Sequence, residues 1–271
     1  MLQARSTVSG TAMQASDQQQ LVDALIPLSR AAGRLIMDIY HSDFAVRGKA
    51  DASPVTEADE KAEAIILEGL AALSLSFPVV AEEACAAGNI PDVDDRFWLV
   101  DPLDGTREFV NRNGEFTVNI ALIEHGRPIL GVVLAPALDQ LYTGSLAGGA
   151  FYQDSSGRHA IRVRQPAADG MDVLASRSHG DADALQRLLA GRRVRNLINA
   201  GSSLKLCLIA AGKADLYPRQ GRTMEWDIAA GHAVLAAAGG QIQTFDGAPL
   251  LYGKPGFENP HFVASGGLPF F

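Results

Sequence analysis

The sequence predicts an α/β protein in two parts, with helices over a largely antiparallel sheet in the first half and an alternating α/β second half. Three observations carry that expectation. Apolar residues recur at helical spacing from about Gln18 to Tyr40 and again after Thr56. The period then changes to two, and short apolar runs separated by turn residues follow from Pro78 to Tyr152. Beyond about residue 170, strand-like and helical runs alternate.

The first helix is read from Leu21, Val22, Leu25, Ile26, Leu35, Ile36 and Ile39, with Pro27 either kinking its first turns or marking its start. A loop follows from Ser42 to Pro54. The second helix opens at Thr56 and turns Ala62, Ile65, Ile66 and Leu73 inward. Short strands are expected at Pro78 to Ala81 and Phe97 to Val100, each ending on acids. Phe116 to Glu124 and Ile129 to Ala135 flank His125-Gly126-Arg127-Pro128, a hairpin signal. Leu141 to Thr143 and Ala150 to Tyr152 form a further pair around Gly148-Gly149.

In the second half, strands are expected at Val173 to Ala175, Ala214 to Tyr217 and Gln241 to Gln243. Helices are expected at Asp181 to Leu189, Ser202 to Ala211 and Asp227 to Ala238, the last stopped by Gly239-Gly240. Periodicity breaks between Arg162 and Gly170, which divides the chain into 20–164 and 165–271 behind a tail of residues 1–19. That tail is polar and aperiodic, without the apolar core of a signal peptide, and reads as frayed and disordered.

Composition narrows the function. The 271 residues are 47% hydrophobic and 20% charged, enough to bury a sizeable core without crosslinks. A net charge of −8 argues against a nucleic-acid polymer as partner. A small anionic substrate stays admissible, because bound metal reverses the local sign. No apolar run reaches the length of a membrane span. Cys85 and Cys207 read as reduced thiols, Cys85 either as an oxidation-sensitive group or as a plain loop cysteine.

The strongest chemical signal is Asp101-Pro102-Leu103-Asp104-Gly105-Thr106 at the end of a strand. Two carboxylates this close repel each other unless a cation lies between them. Oxygen ligands on a turn suit Mg²⁺. If Gly105 and Thr106 open a helix, their N–H groups face a phosphate. The competing reading is an Asp-Pro turn followed by a capping acid. Phosphatases that form an aspartyl-phosphate need a nucleophilic carboxylate two positions before the second acid. Pro102 stands there, so that chemistry is excluded.

The other acids are ambiguous alone. Glu82-Glu83 ends a strand and is either a pair of solvated acids or a partner of Asp101 at one metal. Asp227 opens an alanine-rich helix and is either a capping acid or a ligand. Thr56 with Asp59 has the form of a capping box.

Taken in order, Asp51 to Asp59, Glu82-Glu83, Asp101 to Thr106 and Trp226 to Gly231 resemble the motifs of the inositol monophosphatase superfamily of lithium-sensitive, Mg²⁺-dependent phosphatases. The resemblance spans roughly residues 20 to 265 and implies a layered α-β-α-β-α sandwich. Arg107 to Val110, Asn113 to Leu122, Ser176 to His179, Gly201 to Lys205, Leu216 to Arg219 and Gly231 to Val234 bring it closest to the CysQ-type 3′(2′),5′-bisphosphate nucleotidase branch. Ala84-Cys85 and Glu225 depart from the pattern at its rim.

The resemblance implies a site residue by residue. Glu82, Asp101 and the Leu103 carbonyl hold one Mg²⁺, Asp101, Asp104 and Asp227 a second, and a weaker third sits near Glu82. Asp59 and Thr106 act on the attacking water, with Glu82 in the same catalytic set. Glu82, Leu103, Asp104 and Asp227 border the substrate, and Gly105 and Thr106 take the scissile phosphate. His179, Ser202, Lys205 and Arg219 face the nucleotide and its second phosphate. Ser202 reads equally as a helix cap, Lys205 and Arg219 as surface charges, and Trp226 as packing.

The implied substrate is adenosine 3′,5′-bisphosphate, split to AMP and phosphate, with 3′-phosphoadenylyl sulfate as a second substrate and a role in sulfur assimilation. An inositol monophosphatase or related sugar phosphatase is the enzymatic alternative. A catalytically silent Mg²⁺- and nucleotide-binding regulator is the alternative of another class. A cytoplasmic monomer or weak homodimer fits the resemblance, with peripheral contact at the inner membrane face as a variant.

Overall fold

The computed structural model describes residues 12–48, 54–177 and 182–267. In chain order the elements are α1 (Ala15–Tyr40), β1 (Arg47–Gly48), β2 (Pro54–Val55), α2 (Glu57–Ala71), β3 (Val79–Ala81), α3 (Glu82–Ala86), β4 (Arg96–Asp104), α4 (Thr106–Val110), β5 (Thr117–Glu124), β6 (Arg127–Ala135), β7 (Gln140–Ser145), β8 (Gly149–Asp154) and β9 (Gly157–Ile161). The second half adds β10 (Met171–Ser176), α5 (Ala182–Leu188), β11 (Val194–Ala200), α6 (Leu204–Ala210), β12 (Leu216–Arg219), α7 (Glu225–Ala237), β13 (Gln241–Thr244) and β14 (Phe262–Ser265).

A seven-stranded sheet runs β3-β4-β5-β6-β7-β8-β9, antiparallel except for the parallel pair β3 and β4. A five-stranded mixed sheet runs β11-β10-β12-β14-β13. The strands β3–β9 and β10–β14 divide between Ile161 and Met171. Arg164, in that connection, ties back to the second sheet through Asp215 (2.8 Å) and Asp172 (2.5 Å).

Both faces of the large sheet are covered, which is why its central strands are apolar on every residue rather than on alternate ones. Trp98, Val100, Ile120 and Leu122 face α1 and α2, meeting Leu25, Ile36 and Ile66. Phe97, Leu99, Ala121 and Val133 face the opposite way, against Leu206, Ile209, Ala229 and Val234 of α6 and α7. The second sheet closes the far side of α6 and α7 with Leu174, Tyr217 and Phe262, and its outer Val173 and Leu216 pack on Leu188 of α5. The layers are therefore α-β-α-β-α. Each fully buried large apolar side chain contributes about 1.5–3 kcal/mol.

Helix α7 sits unusually close to the large sheet. A Cβ on Gly131 of β6 would lie 2.7 Å from the Ala230 carbonyl oxygen, and one on Gly144 of β7 would lie 2.6 Å from Val234 Cα. Gly131 and Gly144 on the strands, facing Ala230, Ala233 and Val234 on the helix, permit this approach.

Helical order begins at Ala15, so residues 15–19 belong to α1 rather than to a disordered tail. Polar contacts produce this. Met13 N–H donates to Glu124 Oε1 (3.0 Å), and buried Gln18 bridges the Met13 carbonyl (3.2 Å) and the Ala147 N–H (3.3 Å). Pro27 lies inside the continuous helix. Strands β9, β11 and β14 arise where the sequence signalled no element, and β11 leaves most of its residues exposed on both faces, so no alternation marks it. Among the described residues no helix is long and apolar enough to cross a membrane.

Candidate active site

Parallel pairing of β3 and β4 brings the first two acids together. Ala81 stands opposite Val100, so the next residues, Glu82 and Asp101, leave adjacent strands at the same level. Glu82 opens α3, whose first turn is held by Glu63 of α2 accepting from the N–H groups of Glu83 (2.7 Å) and Ala84 (2.8 Å). Beyond Asp101 the β4–β5 register slips, Asp101 lying opposite Asn119 and Asp104 opposite Thr117. Pro102 has no N–H for the ladder, and the Asp101 Oδ1 instead accepts the Leu103 N–H at 3.0 Å.

Gly105 turns the chain at φ 92°, where an L side chain is strained and a Cβ would meet the Glu115 carbonyl oxygen at 3.2 Å. Thr106 then begins α4. Its hydroxyl lies 3.1 Å from Asp59 Oδ1 and 3.3 Å from the Leu103 carbonyl. The other oxygen of Asp59 accepts the N–H and hydroxyl of Thr56, both at 2.8 Å. Asp59 is thus a capping-box acid whose second oxygen faces the site.

Asp227 lies in the first turn of α7 and accepts the Met224 N–H at 2.9 Å, so it too caps a helix. One carboxylate oxygen from each of Glu82, Asp101 and Asp227 lies within 4.8 Å of the other two. Asp104 lines the same cleft. It is outside that trio, with Oδ2 accepting the Ser203 N–H at 2.5 Å. Burial raises the Asp227 carboxyl well above the ordinary range, and Asp104 and Glu82 push it further. Burial also raises Asp104 to about 6, with Glu108 and Glu82 adding to it and Lys205 and the Ser203 N–H opposing. Three carboxylates thus converge, with a fourth lining the same cleft. Hard oxygen donors this close fit a small divalent cation.

Two cations share the cleft. About 240 Å³ in volume, it is lined by Glu82, Asp104 and Asp227, by Gly105 and Thr106, and by Ser202, Lys205 and Arg219. Lys205 is buried and donates to the carbonyls of Ser202 (2.6 Å) and Ala200 (3.2 Å). Burial lowers its ammonium to about 8, Arg219 acting the same way and Asp104 against. Arg219 is also buried and donates to the Arg222 carbonyl at 2.9 Å. Neither is a surface charge. Ser202 has φ 44°, and the cap position of α6 falls on Ser203 instead. His179 and residues Asp51 to Ser53 lie outside the described residues. Trp226 is buried and packs near Phe257 while bordering the cleft.

Sequence reasoning gave no role to Asn119 or Ser203, which tie the site together. The Ser203 hydroxyl donates to Asn119 Oδ1 (2.8 Å), and Asn119 Nδ2 reaches both Asp104 and the Asp227 carbonyl at 3.5 Å. The available signal was an amide inside the otherwise apolar run Phe116 to Leu122. A buried amide in a core strand needs partners.

The profile of the inositol monophosphatase family matches residues 17–265. The chain is 46% identical over 248 residues to the 3′(2′),5′-bisphosphate nucleotidase CysQ of Escherichia coli (strain K12), covering 90% of this chain and 99% of that protein. It is 42% identical over 252 residues to the protein of the same name from Buchnera aphidicola, covering 91% and 94%. Among solved structures, CysQ from Bacteroides thetaiotaomicron, a member of the inositol monophosphatase family, superposes with a TM-score of 0.78 at 36% identity, over 92% of this chain and 98% of that one. An IMPase from Thermotoga maritima gives 0.76 at 29% identity, over 92% and 93%.

Proposed function

The chain belongs to the inositol monophosphatase family, and from that premise we propose that it is a Mg²⁺-dependent phosphatase cleaving the 3′-phosphate of adenosine 3′,5′-bisphosphate to give AMP and phosphate. One observation supports it above the others: a single cleft is lined both by the acids Glu82, Asp104 and Asp227 and by two buried cations, Lys205 and Arg219. A substrate with two phosphates matches that lining, one phosphate for metal held on the acids and one for the cations. Inositol monophosphates carry only one. 3′-Phosphoadenylyl sulfate has the same spread of charge and is the second substrate on this reading.

Glu82, Asp101, the Leu103 carbonyl, Asp104 and Asp227 are the residues we assign to Mg²⁺, as two ions with a weaker third near Glu82. Bound Mg²⁺ supplies charge neutralisation to the phosphate and acidifies water. The protein's own contribution is positional. Asp59 holds the Thr106 hydroxyl, and the pair orients the attacking water and takes its proton. Gly105 and Thr106 offer N–H groups to the scissile phosphate. Lys205, carried on loop carbonyls, meets the second phosphate together with Arg219 and Ser202. All of these residues come from one chain, so a monomer suffices. Two free thiols, Cys85 and Cys207, suit a reducing, cytoplasmic setting.

The test is phosphate release from the bisphosphate, from AMP and from inositol 1-phosphate, each with and without Mg²⁺. Release from the bisphosphate alone, dependent on Mg²⁺ and inhibited by Li⁺, is the expected result. Preference for inositol 1-phosphate would overturn the substrate, and no release from any of the three would overturn the enzyme.

A further inference from the structure

On the far side of α7 from Asp227, a second cavity of about 240 Å³ opens between the later turns of α7, the start of β6, β13 and residues 249–251. Its walls include Pro128, Leu146, Ile242 and Leu250, and its polar part is made by Arg127, His232, Gln241 and Gln243. The chain has 31 acidic residues, yet none lines this cavity among the described residues. Arg127 has no ion pair with the described residues.

His232 is buried, with Nδ1 hydrogen-bonded to the Tyr252 hydroxyl at 2.9 Å. Burial and the nearby Arg127 charge push its imidazole down to about 3, so it stays neutral and adds a polar, uncharged edge. The wall is braced from behind. Tyr252 N–H donates to the Gly126 carbonyl (3.0 Å), and buried Glu225 accepts from the N–H groups of Gly253 (2.8 Å) and Lys254 (3.0 Å) and from Lys254 Nζ (2.6 Å). Bracing of this kind keeps a cavity formed before a ligand arrives.

We propose that this cavity is a binding site for a small organic carboxylate, with the carboxylate on Arg127 and a compact apolar body against Leu146, Ile242 and Leu250. A guanidinium matches a carboxylate with two parallel hydrogen bonds. A phosphate would find one cation only, and the apolar share of the wall, Leu146, Ile242 and Leu250, gives it nothing. A cavity of about 150 Å³ already accepts benzene, so the volume here suits a ring or short branched chain. The site is separate from the catalytic cleft and does not depend on the activity proposed above.

The experiment is calorimetric titration of the full chain with benzoate, benzyl alcohol and inorganic phosphate. A ligand of this size binds with Kd on the order of 1 mM. Benzoate is expected to bind, and to bind about tenfold more weakly to Arg127→Gln. Leu146→Trp, at an exposed position, fills the cavity and should abolish binding, while Tm and the phosphatase rate report that both variants fold. Equal benzoate affinity for wild type and Arg127→Gln would overturn the proposal. So would benzyl alcohol binding as well as benzoate, phosphate competing benzoate away, or no heat at concentrations about ten times the expected Kd.

Discussion

The Thr106 hydroxyl lies 3.1 Å from Asp59 Oδ1, although 47 residues separate the two. Asp59 reaches that point because its other oxygen is anchored on Thr56, which fixes the carboxylate plane. The pair stands beside the acid cluster without belonging to it. Thr106→Ala should therefore lower kcat by about 10²–10⁴-fold while leaving the Mg²⁺ concentration for half-maximal rate nearly unchanged. Thr106→Ser should recover most of the loss. A Mg²⁺ titration of both variants decides it, and an unchanged kcat for Thr106→Ala would remove the pair from the mechanism.

Asn119 supports two acids at once. Asn119→Leu leaves the Ser203 hydroxyl with the Thr117 hydroxyl (3.0 Å) in place of its Asn119 acceptor and withdraws the amide from Asp104. The Mg²⁺ concentration for half-maximal rate should rise about 10–100-fold, as when partners behind a metal ligand are lost. Stability should fall by about 1–3 kcal/mol, read from urea unfolding.

Metal-free protein should be destabilised as pH rises. The Asp104 carboxyl is raised from 3.8 to about 6 by burial, so it holds its proton more tightly folded than unfolded. Stability from this group is full below about pH 4 and is lost as pH passes through 6. Unfolding in EDTA between pH 4 and 7, wild type against Asp104→Asn, isolates the effect. Parallel curves would contradict it, and Mg²⁺ at pH 7 should restore the wild type.

Lys205 titrates near 8 inside the cleft. With the bisphosphate, kcat/KM should decline above that pH as the ammonium loses its charge. Lys205→Met keeps the stem and should raise KM for the bisphosphate about tenfold or more, the cost of one charge-assisted contact. Its effect on a monophosphate should be small. Equal losses on both substrates would count against a role in holding the second phosphate.

Gly144→Ala tests the seat of α7. The added methyl meets Val234 Cα at 2.6 Å, a backbone atom that cannot rotate aside. Overpacking of this kind costs about 1–3 kcal/mol. Because α7 carries Asp227, the Mg²⁺ requirement should increase together with the loss of stability. Thermal unfolding and a Mg²⁺ titration read the two effects.

Much of this arrangement was legible in the residues. Two periodicities located the helices over the large sheet, and Pro102 with Gly105 marked the turn, because both act within a few residues. Glu82 and Asp227 were ambiguous because their partners are distant. A parallel register joins Glu82 to Asp101, and only tertiary packing brings α7 to the same point. Asp59 and Asp227 each cap a helix and still keep an oxygen toward the site, so capping does not exclude a second role. Lys205 stands alone in the apolar run Leu204 to Ala211, a local mark of burial, but that it shares a cleft with Arg219 follows only from the packing of α6, β12 and the Ala200 to Ser203 segment. Strand β11 escaped notice because exposed strands lack an apolar rhythm.

The position of α7 also orders events during synthesis. All seven strands of the large sheet have been synthesised by Ile161, yet the face formed by Phe97, Leu99, Ala121 and Val133 lacks its full cover until α6 (204–210) and then α7 (225–237) follow. At about 5–20 residues per second that interval lasts several seconds, during which the nascent chain carries a sticky apolar plate. The same helix that completes the cover carries Asp227, so a product truncated before it would lack part of that cover and one acid of the cluster, and core and site are completed in one step.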